Sequence, residues 1–314
     1  MTAAATTTAT LRLGTRGSQL ARTQSQAVAD AITAATGTPV ELVHIVTEGV
    51  RSSAAIAQLG GTGVFVVAIR RALLEGSVDL AVHSYKDLPT GAEPGLIIAA
   101  VPARQDPRDA LVARDGLTLG ELPPGSKIGT GAPRRVAQLR ALGLGLDVVP
   151  IRGNVDTRMG RVAEGDLDAV VLARAGLARL GRLDAISETL DPLQVLPAPA
   201  QGALAVECRT SDARTRELVG RLEDATVRAC VTAERATLAA LEAGCSAPVA
   251  AYAELAEGES GPELFLRASV TAIDGSDSVR GSVSGPLSEA AALGRALATE
   301  LLDRGAAELM AVTP

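Results

Sequence analysis

Three stretches of this sequence decide its fold: Leu11–Ser18 (LRLGTRGS), Ile128–Arg135 (IGTGAPRR) and Ile151–Arg158 (IRGNVDTR). In each stretch an apolar run ends in a glycine-containing loop that carries arginine and leads into a helical pattern. A strand that feeds a helix is the repeating unit of α/β folds. The helix start offers backbone N–H groups and a positive dipole end to an anion, and arginine adds a planar fork for carboxylate or phosphate. Three such loops indicate a ligand with several negative groups.

The first hundred residues alternate strand and helix signals. Ser18 is a suitable N-cap for a helix over Gln19–Ala35, and Gly37 ends that helix. A second helix is predicted over Val64–Leu74. The predicted strands are Thr10–Leu13, Val40–Val46, Asp79–His83 and Leu96–Pro102. This alternation is typical of βαβ units, so we expect a mostly parallel sheet covered by helices.

A second unit of the same kind begins near Asp106. Its predicted elements are Lys127–Thr130, Arg134–Leu142, Asp147–Ile151, Asp156–Glu164, Ala169–Ala173 and Ala175–Leu180. The strand Leu204–Cys208 follows the linker Pro197–Gly202 and belongs to no new unit, so it most simply returns to the first sheet. We therefore expect two α/β domains of the periplasmic-binding-protein type, joined by two crossover segments, with a ligand cleft between them.

The chain changes character from about Asp224. A helical run over Asp224–Ala243 precedes three strands, a hairpin turn signal at Asp274-Gly275 and a closing amphipathic helix. These later elements are predicted at Val249–Leu255, Leu264–Ile273, Ser278–Ser284 and Ser288–Arg304. A small C-terminal α+β domain fits this pattern. The predicted domains are 1–104 with 201–221, then 105–200, then 222–314.

The composition is that of a globular protein. With 314 residues, 47% of them hydrophobic, the chain has ample core for two or three domains. No apolar run approaches the roughly 20 residues that span a bilayer, and the Ala/Thr-rich start at 1–10 resembles a disordered leader rather than a secretion signal. Three widely spaced cysteines fit neither a disulfide framework nor a metal site. We expect a cytoplasmic protein without a membrane segment or metal.

Positive charge is concentrated in the middle of the chain. Residues 126–182 contain ten Lys/Arg and five Asp/Glu, a net charge of +5, which leaves −11 for the remainder of a chain whose net charge is −6. This distribution favours an acidic small molecule over nucleic acid, and an aromatic content of 1% also argues against base stacking. For any single arginine, a solvated surface position remains the alternative.

Two residues stand out as candidates for chemistry. Asp87 follows an apolar strand and precedes Pro89, so its carboxylate can project from a strand end and transfer protons or stabilise a cation. The alternative is a loop aspartate that caps a turn or pairs with Lys86. Cys245 follows Gly244 in a turn, which makes it the candidate nucleophile or attachment point; an inert, half-buried thiol is the alternative.

Two other function classes fit parts of the pattern. A non-catalytic anion receptor also has two α/β lobes with a double crossover, but it usually carries a secretion signal and needs neither Asp87 nor a loop cysteine. Gly129-Thr130-Gly131 resembles the start of the glycine-rich fingerprint of a nucleotide-dependent enzyme. However, Arg134 stands where the third glycine of that fingerprint belongs. His83 and His44 are expected to pack within strands rather than to bind a ligand.

From Leu11 onward the chain resembles the hydroxymethylbilane synthase (porphobilinogen deaminase) family. The resemblance rests on motifs that occur in order at family-like intervals. They are Thr15–Ser18, Val82–Pro89, Asp106–Asp109, Gly129–Arg135, Arg152–Arg158, Leu172–Gly181, Gln201–Ala203, Thr232–Arg235 and Gly244-Cys245. It implies a three-domain monomeric transferase of tetrapyrrole (heme) biosynthesis that joins four porphobilinogen molecules head to tail, with loss of ammonia, and frees a linear tetrapyrrole by hydrolysis.

The resemblance also implies roles for individual residues. Cys245 would carry a dipyrromethane cofactor through a thioether, and Asp87 would hold the positive charge that ammonia loss creates, assisted by Lys86. The implied cofactor-binding residues are Cys245, Lys86, Asp87, Arg134, Arg135, Ser84 and Thr130. The implied substrate-binding residues are Arg16, Ser18, Arg152, Arg158 and Arg179. Porphobilinogen would be the partner, without nucleic acid or membrane.

A few positions depart from the family pattern. Thr62 stands where relatives often carry lysine, Ala132 where a serine commonly contacts the cofactor, and Val50-Arg51 where Gly-Asp is usual. These departures concern the loop over 48–63 and one hydrogen bond to the cofactor. Asp87, Cys245 and the arginines match.

Overall fold

The computed structural model describes residues 9–46, 61–243, 247–258 and 261–311, with only the backbone described at 61–65. These residues form two compact units. The first comprises Met1–Leu88, Ala92–Ala103 and Leu204–Asp224, and the second comprises Pro89–Gly91, Arg104–Ala203 and Ala225–Pro314. No helix within the described ranges is long and apolar enough to cross a membrane.

The first unit is built on a five-stranded sheet. Its strands are β1 (Leu11–Thr15), β2 (Val40–His44), β3 (Leu80–Ser84), β4 (Leu96–Ala100) and β10 (Leu204–Arg209). The order is β2-β1-β3-β10-β4; β1 runs parallel to β2 and β3, whereas β10 is antiparallel to β3 and β4. The prediction that the isolated strand returns to the first sheet is therefore confirmed.

Helices pack on this sheet. They are α1 (Gln19–Thr36), α2 (Gly61–Leu74) and α6 (Ala213–Gly220). Of these, only α6 was not predicted from the sequence patterns. Ser18 caps α1 as predicted, because its hydroxyl accepts a 3.3 Å hydrogen bond from the Ala21 N–H, and Gly37 ends it at a φ of 68°. Fully buried Leu13, Ile32 and Leu80 join the helix to the strands, so the apolar periodicity of α1 is what fixes it to the sheet.

The second unit contains a sheet of the same topology. Its strands are β5 (Asp109–Ala113), β6 (Lys127–Thr130), β7 (Asp147–Pro150), β8 (Ala169–Ala173) and β9 (Glu188–Thr189). The order is β7-β6-β8-β5-β9, with β6 parallel to β7 and β8, and β5 antiparallel to β8 and β9. In each sheet, one antiparallel strand (β10 or β5) thus lies between the three parallel strands and the edge strand (β4 or β9). The sequence patterns did not predict β5. The apolar run that follows Asp109 is short and does not alternate with polar residues.

Three helices accompany this sheet, and each begins close to a glycine- or alanine-containing loop. They are α3 (Pro133–Ala141), α4 (Val155–Ala163) and α5 (Arg174–Arg179). Pro133 occupies the first turn of α3, where its missing N–H costs nothing. Predicted and observed bounds differ here by one residue or a few, as expected for helix ends.

The rest of the second unit is an antiparallel meander with helices, as predicted. Its elements are α7 (Ala225–Ala240), β11 (Val249–Gly258), β12 (Gly261–Thr271), β13 (Ser278–Gly285), α8 (Ala290–Asp303) and α9 (Ala306–Ala311). The hairpin between β12 and β13 turns at Gly275, whose φ is 80° and whose N–H bonds to the Ala272 carbonyl. The two α/β sheets and the small α+β portion confirm the predicted fold class; the predicted three-domain boundaries stay a prediction.

Candidate active site

Asp87 lies in a single helical turn directly after β3. The turn spans Tyr85–Asp87 and is followed by Leu88, which is 2% exposed and anchors it to the core. Pro89 prevents the turn from continuing as a helix. The partly buried Asp87 carboxylate therefore projects at the end of a buried strand, as predicted, and a pocket of the first unit receives it.

The polar lining of this pocket comes from several elements of the first unit. Its lining residues are Arg16, Gln24, His83, Ser84 and Asp87, together with apolar Ala21, Val66, Ile69 and Val82. Ser84 and Gln24 exchange hydrogen bonds at 3.1 and 3.3 Å, which fixes both side chains. Predicted Arg16, Ser84 and Asp87 thus share one pocket. Lys86 is partly buried in the same turn as Asp87.

In the second unit, Arg134 and Arg135 converge on one carboxylate. Asp109, at the start of β5, is fully buried and accepts from Arg134 Nη2 at 2.8 Å and from Arg135 Nη2 at 2.7 Å. Gln201 Nε2 adds a third donor at 2.7 Å. Burial alone would raise the pKa of Asp109, but attraction to the two guanidinium groups outweighs it and holds that pKa well below its usual range.

This Asp109 cluster, Asp109 with Arg134, Arg135 and Gln201, carries more positive than negative charge. Two guanidinium groups, 4% and 5% exposed, share one carboxylate, so one positive charge is uncompensated within the cluster. Arg134 Nε is buried and has no hydrogen-bond partner among the residues that the structure describes. An uncompensated buried charge costs several kcal/mol, so the cluster is suited to accept an anion.

Three other predicted arginines differ in burial. Arg179 donates to the Gly202 carbonyl at 2.7 Å, and burial lowers its pKa to about 10. Arg158 donates to the Gly153 carbonyl at 2.8 Å, and its pKa is lowered by burial and by repulsion from Arg135. Arg152 is exposed. A bound anion would stabilise the charged forms of Arg158 and Arg179, which their surroundings disfavour.

Side chains cap two of the three helix starts that were predicted as anion sites. Ser18 accepts one N–H at the start of α1, and Asn154 Oδ1 accepts the Thr157 N–H at 2.8 Å at the start of α4. The start of α3 has no side-chain cap, because Ala132 stands at its N-cap. Thr130, on the preceding strand, is fully buried, and its hydroxyl accepts from the Ala132 N–H at 3.4 Å.

Several predicted positions lie outside the described residues. They are Cys245 and Val50-Arg51, while Thr62 is described by its backbone alone. The attachment role of Cys245 therefore stays a prediction. The other two cysteines, Cys208 and Cys230, are buried free thiols, as expected, and burial raises the pKa of Cys208 to about 11.

The sequence analysis missed the residues that hold these site groups in place. Asp109 and Gln201 lie within the family motifs but carry no predicted role, and Glu207 carries none within its predicted strand. A charged residue inside an otherwise apolar strand is the signal that could have found Glu207, since such a charge requires partners. His83 is packed in its strand as predicted, 7% exposed, yet it also lines the Asp87 pocket.

Comparisons with known proteins give a consistent result. Residues 11–217 match the family model "Porphobilinogen deaminase, dipyromethane cofactor binding domain", and residues 228–303 match "Porphobilinogen deaminase, C-terminal domain". The porphobilinogen deaminase of Nocardia farcinica is 61% identical over 98% of this chain and 90% of its own. That of Mycobacterium tuberculosis is 61% identical over 96% of this chain and 98% of its own.

Solved structures show a weaker similarity. The methionine-binding protein MetQ aligns with a TM-score of 0.42 and 12% identity over 68% of this chain and 89% of its own. A periplasmic substrate-binding protein from Coxiella burnetii aligns with a TM-score of 0.44 and 15% identity over 69% and 94%. Similarity at this level supports no conclusion about this chain.

Proposed function

The chain belongs to the porphobilinogen deaminase family, and on that premise we propose which of its residues carry each part of the reaction. The enzyme joins four porphobilinogen molecules head to tail with loss of ammonia, then releases the linear tetrapyrrole by hydrolysis. Its dipyrromethane cofactor, when bound, supplies the free pyrrole end on which the chain grows. Each pyrrole unit carries an acetate and a propionate, so carboxylates accumulate as the product lengthens.

The uncompensated charge of the Asp109 cluster is the observation that carries this assignment. Asp109 holds Arg134 and Arg135 in place, and one buried donor, Arg134 Nε, has no partner within the described part of the chain. A carboxylate of the cofactor would balance the excess charge, so the residues present fit the group. Alongside the two arginines, Thr130, Ser84, Lys86 and Asp87 would hold the cofactor, and Cys245 would bind it through a thioether.

A second set of residues would bind the carboxylates of incoming substrate. Arg158 and Arg179 are partly buried arginines whose charged forms an anion would stabilise, and Arg16 lines the Asp87 pocket. Arg152 and Ser18 complete the set; Arg152 is exposed, and the Ser18 hydroxyl caps α1. Because arginine binds carboxylates in bidentate geometry, these side chains would also orient the pyrrole ring.

Asp87 would act at the reacting carbon. Loss of ammonia from the aminomethyl group leaves a cationic, azafulvene-like electrophile, and a carboxylate in a shielded pocket stabilises that charge better than water does. The same carboxylate can accept the proton that the attacking pyrrole loses after the new C–C bond forms. Lys86, beside it in the turn, would contribute a positive charge for a carboxylate of the bound pyrroles.

We also propose that the protein is a cytoplasmic monomer that binds no nucleic acid. Cys208 and Cys230 are buried and form no disulfide within the described ranges, which supports a reducing compartment, and an aromatic content of 1% offers few surfaces for base stacking.

Incubation of the purified protein with porphobilinogen tests the proposed function. We expect substrate to be consumed with release of one ammonia per molecule, and the protein to give the coloured aldehyde reaction of pyrroles. Cys245→Ala should lose both properties, whereas the matched control Cys230→Ala, at a buried helix position, should keep them. Reversible binding of porphobilinogen without ammonia release would instead support an anion receptor.

A further inference from the structure

His83 belongs to a buried group of three charged or titratable side chains, the His83–Glu207–Arg70 triad. Glu207 lies in the middle of β10 and is 2% exposed. Arg70, on α2, donates to Glu207 from Nε at 3.1 and 3.2 Å and from Nη2 at 2.9 Å. His83 Nε2 lies 3.2 Å from Glu207 Oε2, an ion-pair distance without the alignment of an ideal hydrogen bond.

Arg70 pairs with two carboxylates. Its Nε and Nη2 donate to Glu207, and its Nη1 donates to Glu93 at 3.2 Å, so this one guanidinium balances only part of the negative charge. Burial raises the pKa of Glu207, but the contacts with His83 and Arg70 outweigh this and lower it, so the carboxylate is ionised. The imidazole of His83 thus faces a buried carboxylate whose arginine partner is shared with Glu93.

The position of the ring relates the triad to the reaction. His83 lines the pocket that also contains Asp87 and Arg16. An ionised carboxylate can only accept, so Glu207 favours the form of His83 that carries hydrogen on Nε2 and leaves Nδ1 able to take a proton. The charged groups around the imidazole are Glu207 on β10, Asp87 in the turn, and Arg16 after β1. Arg70 lies behind Glu207 and also pairs with Glu93, just before β4.

We propose that His83 holds the proton that Asp87 removes during each condensation, an inference that rests on the proposed function. The new C–C bond forms, the C–H bond at the attacked α-carbon breaks, and its electron pair returns to the pyrrole ring. Asp87 accepts the proton and passes it to His83 Nδ1. His83 then gives it to the released ammonia, which leaves as ammonium. Asp87 is restored as a carboxylate for the next unit.

The returning strand β10 gives this arrangement its support. It pairs with β3 so that Ala205 lies opposite His83 and Glu207 opposite Ala81, which places Glu207 diagonally across from the imidazole. The imidazolium that forms during proton transfer is stabilised by the Glu207 carboxylate. Because His83 takes its proton from Asp87 and gives it to ammonia without contacting the pyrrole rings, its loss should slow turnover more than it weakens substrate binding.

His83→Gln tests this role directly. The glutamine amide can donate to Glu207 from nearly the place of Nε2, but it cannot take up a proton. We expect the variant to carry its cofactor and to keep its KM within about twofold, while kcat falls by about tenfold or more. Because His83 must be neutral to accept the proton, the acid limb of the kcat–pH profile should also lose one ionisation. An unchanged kcat and pH profile would overturn the inference.

Two further measurements keep the test decisive. His83→Ala leaves space for added imidazole, which should restore part of the lost rate; a purely structural histidine would show no such rescue. His44→Gln, at the other histidine of the chain, is exposed and should leave kcat and the pH profile unchanged. If the wild-type protein itself fails to consume porphobilinogen, the proposed function fails before any variant is compared.

Discussion

Asp87 and Asp109 show how the two units use the same side chain differently. Asp87 is partly buried and lines a pocket with Arg16, His83 and Ser84, where its oxygens can meet a ligand. Asp109 is fully buried, and its oxygens are already occupied by two arginines and Gln201. A carboxylate that performs chemistry must keep an accessible lone pair, whereas one that positions cations is best fully bonded.

Asp87→Asn should have the largest effect on activity. The amide keeps the shape of the carboxylate but neither stabilises a cation equally nor accepts a proton, so turnover should fall by about 10²–10⁴-fold with substrate still bound. Single-turnover kinetics with porphobilinogen measure this fall in rate. Asp30→Asn, an exposed change on α1, is the control and should be near wild type. Near-normal turnover in Asp87→Asn would remove Asp87 from the reaction.

Asp109→Asn should affect stability most. It leaves two buried guanidinium groups without a carboxylate, which should cost about 3–5 kcal/mol in free energy of unfolding. Chemical denaturation of the cofactor-free proteins measures it, with exposed Asp184→Asn as control. A loss below about 1 kcal/mol would show that the cluster does not depend on this charge.

The same variant gives a prediction about pH. The pKa of Asp109 is lowered in the folded protein, so its contribution to stability is present above the ordinary aspartate range and is lost as the pH falls through the folded pKa. The stability difference between wild type and Asp109→Asn should therefore be full at neutral pH and shrink under acid conditions. A difference that grows on acidification would contradict the ion-pair assignment.

The sequence predicted elements well where periodicity and caps are local. Ser18, Gly37 and Gly275 mark a helix start, a helix end and a hairpin turn by rules that act over a few residues, and each is confirmed. The return of β10 to the first sheet was also predictable, since an isolated apolar strand must pair somewhere. The strand order itself needs the three-dimensional pairing.

The sequence indicates which side chains form the candidate site, but not how deeply each is buried or what it pairs with. Arg134 and Arg152 look equivalent in the sequence, each in a glycine-containing loop before a helix, yet one is buried against Asp109 and the other is exposed. Glu207 lies 124 residues or more from His83 and from Arg70 in the chain. Contacts over such separations leave no local pattern, so burial and partners had to come from the structure.

Arginine burial predicts a graded effect on substrate binding. Arg158→Gln removes a partly buried charge, so we expect KM for porphobilinogen to rise by about 10–100-fold, the equivalent of one charge-assisted hydrogen bond. Arg152→Gln removes an exposed charge and should raise KM by about fivefold or less. Steady-state kinetics of both variants show which has the larger rise in KM. A larger rise in Arg152→Gln than in Arg158→Gln would show that burial does not predict which arginines bind substrate.

The smallest expected effect concerns the helix caps. Ser18→Ala and Asn154→Ala each remove a side-chain cap and should lower the free energy of unfolding by about 1 kcal/mol. Thermal or chemical unfolding measures both. Only Ser18 is proposed to bind substrate, so its variant alone should also raise KM. An equal rise in both would assign the effect to helix stability instead.

The intact mass of the protein, before and after addition of porphobilinogen, tests the central claim most directly. That claim is that Cys245 carries a dipyrromethane whose carboxylates occupy the buried arginines. Before substrate is added, we expect a mass above the sequence mass by one dipyrromethane. After it is added, we expect further species that carry one to four additional pyrrole units. Cys245→Ala should show neither the dipyrromethane nor these species. A bare sequence mass under reducing conditions, unchanged after incubation with substrate, would contradict it.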